Sequence, residues 1–182
     1  MYEYHVTVRD GDAEKFKDWC CMNQVKPLLI DLQRVEGAGM QKQLQFTYRS
    51  CYFNDEAVKE LAVKLEADGF NVCRIKCEAD DPSRTVVLYW ESHGLITLTS
   101  SQVSKLRSII PTFAHLSNNA FKKQKDGQLS YWITIRHKDA DVVDLYINAV
   151  NIILSSNGFG LVSFKIEAVL KDTNVELDNG WI

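Results

Sequence analysis

A chain of 182 residues with 46% hydrophobic and 25% charged content has the make-up of a globular protein, large enough to bury a core without disulfides or a structural metal. A formal net charge of −3 and a pI near 5.8 give no global positive field, which argues against nucleic acid or an anionic membrane surface as partner. No apolar run approaches the roughly 18 residues of a membrane span. The first residues lack the basic and apolar regions of a secretory signal. Five cysteines with no C-x-x-C pair fit reduced thiols in the cytoplasm.

The elements follow in chain order. From Tyr2 to Arg9 apolar Tyr2, Tyr4, Val6 and Val8 alternate with Glu3, His5, Thr7 and Arg9, the pattern of a half-buried strand. Asp10-Gly11-Asp12 turns the chain and caps a helix carrying Ala13, Phe16, Trp19 and Cys20, which Pro27 terminates. Leu28 to Leu32 reads as a short strand, 35–42 as a glycine-containing loop, and Gln45 to Ser50 as a strand with Thr47 and Arg49 facing outward. Asn54-Asp55-Glu56 caps a second helix striped by Val58, Leu61, Ala62 and Leu65 and ended by Gly69. Val72 to Glu78 is a strand with Arg74, Lys76 and Glu78 on its polar side.

The same order then recurs. Val86 to His93 is a strand, a helix from about Ser101 stops at Pro111, and Phe113 to Ser117 is a strand. A basic loop, Lys122 to Gly127, leads to a strand from Ser130 to His137. A long helix from Asp139 to Ser156 ends at Asn157-Gly158, and the last strand is Leu161 to Val169. Local matches accompany the order: Gly69-Phe70 with Gly158-Phe159, Lys76-Cys77-Glu78-Ala79 with Lys165-Ile166-Glu167-Ala168, and Thr47-Tyr48-Arg49 with Thr134-Ile135-Arg136. The order β-α-β-β-α-β, written twice, predicts an α+β fold made by tandem duplication of a ferredoxin-like unit, with antiparallel sheets and helices on one face of each. The expected boundaries are a first unit at 1–80, a linker at 81–85, a second unit at 86–170, and a tail at 171–182 whose Trp181-Ile182 docks on the body.

The face away from the helices would carry the chemistry. Four of its cations fall in two matched pairs, Arg49 with Arg136 and Lys76 with Lys165. Arginine grips two oxygens with a planar fork and lysine adds a point charge, so a cleft between two such faces would suit a small anionic or phosphorylated ligand. Glu78 and Glu167 would orient the cations, and His5, His93 and His115 would face the same ligand. The competing reading is a wet outer face whose charges pair across strands for roughly 0.2–1 kcal/mol each. No cofactor is implied; His93, His115 and Glu91 lack a metal-ligand spacing such as HExxH. A monomer or a homodimer is compatible with all of this.

Two tripeptides sharpen the picture. His5-Val6-Thr7 and His115-Leu116-Ser117 each put an imidazole and a hydroxyl on one strand face. The pair resembles the double His-x-Ser/Thr signature of the 2H phosphoesterases, a resemblance that implies metal-independent phosphodiester chemistry with His5, Thr7, His115 and Ser117 as catalytic groups. Asn118 follows the second motif where that family has an apolar residue, and the two motifs fall on non-equivalent strands. The segment His115-Leu116-Ser117-Asn118-Asn119-Ala120 and the ending Asp172-Thr173-Asn174…Leu177-Asp178-Asn179-Gly180-Trp181-Ile182 are similar to small bacterial proteins of unassigned function, which carry no activity over to this chain. A protein-interaction module is the third class compatible with the sequence.

Overall fold

The computed structural model describes residues 1–33, 41–82, 86–122 and 128–178. The strands are β1 (Tyr2–Val8), β2 (Lys26–Gln33), β3 (Gln41–Ser50), β4 (Val72–Ala79), β5 (Tyr89–Thr99), β6 (Ala114–Asn119), β7 (Gln128–His137) and β8 (Phe164–Asp172). The helices are α1 (Ala13–Met22), α2 (Asp55–Ala67), α3 (Ser100–Ile109) and α4 (Ala140–Ser156), with a single turn of 3-10 helix at Val175–Asp178. Among the described residues no helix is long and apolar enough to cross a membrane.

The helices form where local chemistry asks for them. The Asp12 side chain accepts from the Lys15 backbone N–H and Asn54 from that of Ala57, each satisfying a donor that the first helical turn leaves open. At the other end, Gly69 and Gly158 adopt φ of +88° and +80°, and the next residue's N–H reaches back to the helix, Phe70 to the Leu65 carbonyl and Phe159 to that of Leu154. The recurrence of Gly-Phe in the sequence is thus the same helix exit used twice, with each phenylalanine buried beyond it.

The expected fold of two ferredoxin-like sheets made by tandem duplication is overturned. All eight strands hydrogen-bond in one closed order, β1-β3-β2-β6-β7-β5-β8-β4, a barrel. A separate sheet would leave edge strands with unpaired backbone groups, and closure removes them. β4 illustrates how: it pairs antiparallel with β1 on one side and with the end of β8 on the other, Lys76 opposite Asp172 and Glu78 opposite Val169. For this, β8 starts and ends three residues later than the alternation from Leu161 suggests.

The chain forms two compact units that do not follow its midpoint. One takes in Met1–Ile30, Lys42–Leu88 and Ala168–Gly180; the other takes in Asp31–Gln41 and Tyr89–Glu167. The first packs Tyr4, Val6, Phe46 and Cys77 from its strands against Phe16, Trp19, Val58 and Leu65 from α1 and α2. The second packs Leu98, Ile133 and Ile135 against Val103, Leu106, Val143, Val150 and Leu154 from α3 and α4. Residues 35–40 of the expected glycine loop, 83–85 of the expected linker, 123–127 of the basic loop, and the terminal Trp181-Ile182 lie outside the described residues.

Candidate functional site

Strand alternation puts apolar residues on the helix-facing side, and the other side holds the polar ones. Much of that side is shielded from water. Thr7, Thr47, Arg74, Lys76 and Glu78 in the first unit, and Glu91, Ser117, Thr134, Arg136 and Glu167 in the second, are all buried. Buried charges require partners, and the register supplies them.

In the first unit His5 on β1 lies opposite Thr47 on β3 and Lys76 on β4. Its Nε2 is 3.1 Å from Glu78 Oε2, its Nδ1 is 3.3 Å from Thr47 Oγ1, and Glu3 Oε1 lies 3.7 Å from Nε2. Lys76 Nζ sits 2.6 Å from Glu78 Oε1, and the Glu78 side chain is only 2% exposed. Arg49 donates from Nε to Glu3 Oε2 at 2.7 Å, but its own side chain is 61% exposed. Thr7 lies opposite Arg74, and Arg74 is taken up by Asp172 on β8 through Nε at 2.9 Å and Nη2 at 2.5 Å.

In the second unit His93 on β5 lies opposite Thr134 on β7, and Glu91 opposite Arg136. His93 Nδ1 is 3.2 Å from Thr134 Oγ1 and its Nε2 is 3.4 Å from Glu91 Oε1. Arg136 Nη2 donates to Glu91 Oε1 at 3.0 Å, and the guanidinium lies over the Tyr89 ring with 5.8 Å to the centroid. The indole of Trp132 meets the His93 ring edge-on. Lys165 Nζ is 2.7 Å from Glu167 Oε1, with the lysine 58% exposed. On β6, His115 lies opposite Thr134 and the buried Ser117 opposite Trp132.

The two units therefore carry one polar pattern. A Glu-x-His strand pairs antiparallel with a Thr-x-Arg strand: Glu3 opposite Arg49 and His5 opposite Thr47, then Glu91 opposite Arg136 and His93 opposite Thr134. A Lys-x-Glu strand, Lys76-Cys77-Glu78 or Lys165-Ile166-Glu167, completes each set on the histidine strand's other neighbour. Sequence reasoning picked out the Thr-x-Arg and Lys-x-Glu matches and missed the third. Glu3-Tyr4-His5 and Glu91-Ser92-His93 were equally legible, and they make His93, rather than His115, the residue standing where His5 stands. The partner Asp172 carried no local signal, since only the strand register brings it to Arg74.

Chemically, each set holds an imidazole between a carboxylate and a hydroxyl, with a cation on every nearby carboxylate. Glu3 and Glu78 both lie near His5 Nε2, and Arg49 and Lys76 neutralise these two carboxylates, so a divalent ion would compete with fixed charges for them.

No protein-family model matches the chain, and no curated protein does. Among solved structures it is similar to a Fusobacterium nucleatum protein provisionally described as a monooxygenase, at 12% identity over 94% of this chain and 92% of that one, with a TM-score of 0.36. It is also similar to the small subunit of acetolactate synthase from Thermotoga maritima, at 15% identity over 94% and 95% of the two chains, with a TM-score of 0.30. Likenesses this remote carry nothing over to the chemistry of this chain.

Proposed function

We propose that the protein binds a small anionic or phosphorylated ligand on its polar strand faces, acting in the cytoplasm. The observation that supports this reading is the burial of Lys76 and Arg136, whose side chains are 9% and 5% exposed beside the carboxylates of Glu78 and Glu91. A buried ion pair is a poor source of stability compared with apolar packing of the same volume. Such pairs are better explained by a role than by folding: a phosphate or carboxylate entering beside Glu78 or Glu91 exchanges one anion for another around a preformed cation. Arg136, stacked on Tyr89, offers a fork of fixed orientation for two ligand oxygens. Arg49 and Lys165, more than half exposed, contribute general attraction rather than fixed geometry. The cytoplasmic placement is supported by five cysteines that are all free thiols.

Isothermal titration against nucleotides, sugar phosphates and dicarboxylates tests this. Binding is expected to weaken by about tenfold or more in Arg136→Lys, which keeps the charge and loses the fork, and in Lys76→Met. Circular dichroism confirms that each variant is folded. If no anion in the panel releases heat, or if both folded variants bind as the parent does, the reading is wrong.

A further inference from the structure

We propose that His5 and His93 are matched proton acceptors for the bound anion, each working through the hydroxyl of its threonine, Thr47 or Thr134. The inference rests on the anion-binding reading above and adds the groups that take the proton.

What each atom can donate or accept fixes the tautomer. A carboxylate paired with a cation only accepts hydrogen bonds, so the imidazole nitrogen facing it carries the proton. For His5 this is Nε2, 3.1 Å from Glu78; for His93 it is again Nε2, 3.4 Å from Glu91. In the neutral ring the other nitrogen, Nδ1, then holds a lone pair. That nitrogen faces the threonine Oγ1 at 3.3 Å in one unit and 3.2 Å in the other. The hydroxyl therefore donates to Nδ1 and turns its own lone pairs away from the ring, toward whatever lies beside it. Two imidazoles held in one tautomer by the same residue types at the same atoms are a shared device rather than two packing accidents.

Charge decides what the device accepts. Around His5, Glu3 is paired with Arg49 and Glu78 with Lys76. Around His93, Glu91 is paired with Arg136, and on the neighbouring β8 Glu167 is paired with Lys165, while His115 lies across β7 opposite the same Thr134. Since each of these carboxylates already has a cation, a proton added to either ring creates a positive charge that a bound anion is suited to balance. A phosphate monoester monoanion fits: its second proton is held with a pKa of about 6. Its P–O–H donates to the threonine oxygen; the ligand O–H bond breaks as a new Oγ–H bond forms, while the original Oγ–H proton passes to Nδ1. The products are a phosphate dianion and an imidazolium whose Nε2–H still points at its glutamate, with no atom or electron unaccounted for.

Long-range proton–nitrogen NMR of the labelled, ligand-free protein reads the tautomers directly, and inorganic phosphate is then titrated in at neutral pH. The expected result is Nε2–H for His5 and His93 in the free protein, with both rings moving toward imidazolium as phosphate is added. Thr47→Val and Thr134→Val should each remove that response at their own histidine while backbone amides still register binding. An Nδ1–H tautomer at either ring overturns the proposal, as does phosphate that shifts backbone amides while both rings stay neutral. Silent amides and silent rings together overturn the anion-binding reading, and the proposal with it.

Discussion

Arg74 and Asp172 form a buried ion pair of the first unit, joined at two points and 5% and 0% exposed. Removing one partner takes a close counter-charge from a group that stays buried, so Arg74→Met is expected to cost about 3–5 kcal/mol in urea unfolding. The double variant with Asp172→Met should recover most of that loss, because the desolvated charge is gone. Recovery of none of it would mean the residues act independently. The thiols give a second residue-scale test. Burial pushes Cys20 up to about 12 and Cys77 up to about 11, whereas Cys21 and Cys51 are exposed. Alkylation of the native protein at mildly alkaline pH should therefore label Cys21 and Cys51 and spare the other two. The same shift fixes a pH dependence. The folded thiol of Cys20 ionises at about 12 against 9.0 for a free one, so its contribution to stability is complete below pH 9.0 and is lost as pH rises toward about 12. Cys20→Ala should flatten the alkaline fall in stability.

Among the elements, glycine positions separate what was legible from what was not. Gly69 and Gly158 were readable as helix ends, and both have the positive φ that this role needs. Gly158→Ala meets no atom within 4 Å, so its cost, about 1 kcal/mol, is backbone strain alone. Gly94 is different. Alternation placed a strand from Val86 to His93, yet β5 begins at Tyr89 and runs through Gly94 to Thr99. A glycine after eight alternating residues reads as a strand end. Here it marks a close approach instead: a Cβ at Gly94 would lie 2.6 Å from Val162 Cγ1 and 2.7 Å from the Phe164 ring. Gly94→Ala should cost about 1–3 kcal/mol, more than Gly158→Ala, because packed neighbours must move. Equal costs in thermal unfolding would show that contact to be slack. The candidate site divides in the same way. Thr47-x-Arg49 and Lys76-x-Glu78 were visible as repeated spacings, whereas their facing partners came into view only with the register.

At the scale of the molecule, closure has a thermodynamic consequence. β2 runs from Lys26 to Gln33 and β8 from Phe164 to Asp172, so each passes from one compact unit into the other without a break. Units that share strands lose backbone hydrogen bonds together when either one opens, and a single cooperative transition is expected. Trp19 reports on the first unit, and Trp90 and Trp132 on the second. Denaturation followed by fluorescence of Trp19-only and Trp19→Phe variants should give coincident midpoints after correction for each variant's own stability. Two separated transitions would show that the units fold apart.

The sequence by itself determined the strand and helix periods, the caps at Asp12 and Asn54, the helix exits at Gly69 and Gly158, and which side of each strand is apolar. These depend on side chains and on φ and ψ within a few residues, and such information is local. Only the tertiary structure decided that the strands close into a barrel and that most of the polar side chains on their other face are buried. Strands find their neighbours through backbone N–H and C=O groups that are the same at nearly every residue, so the spelling of a strand tells which way it faces but not what lies beside it.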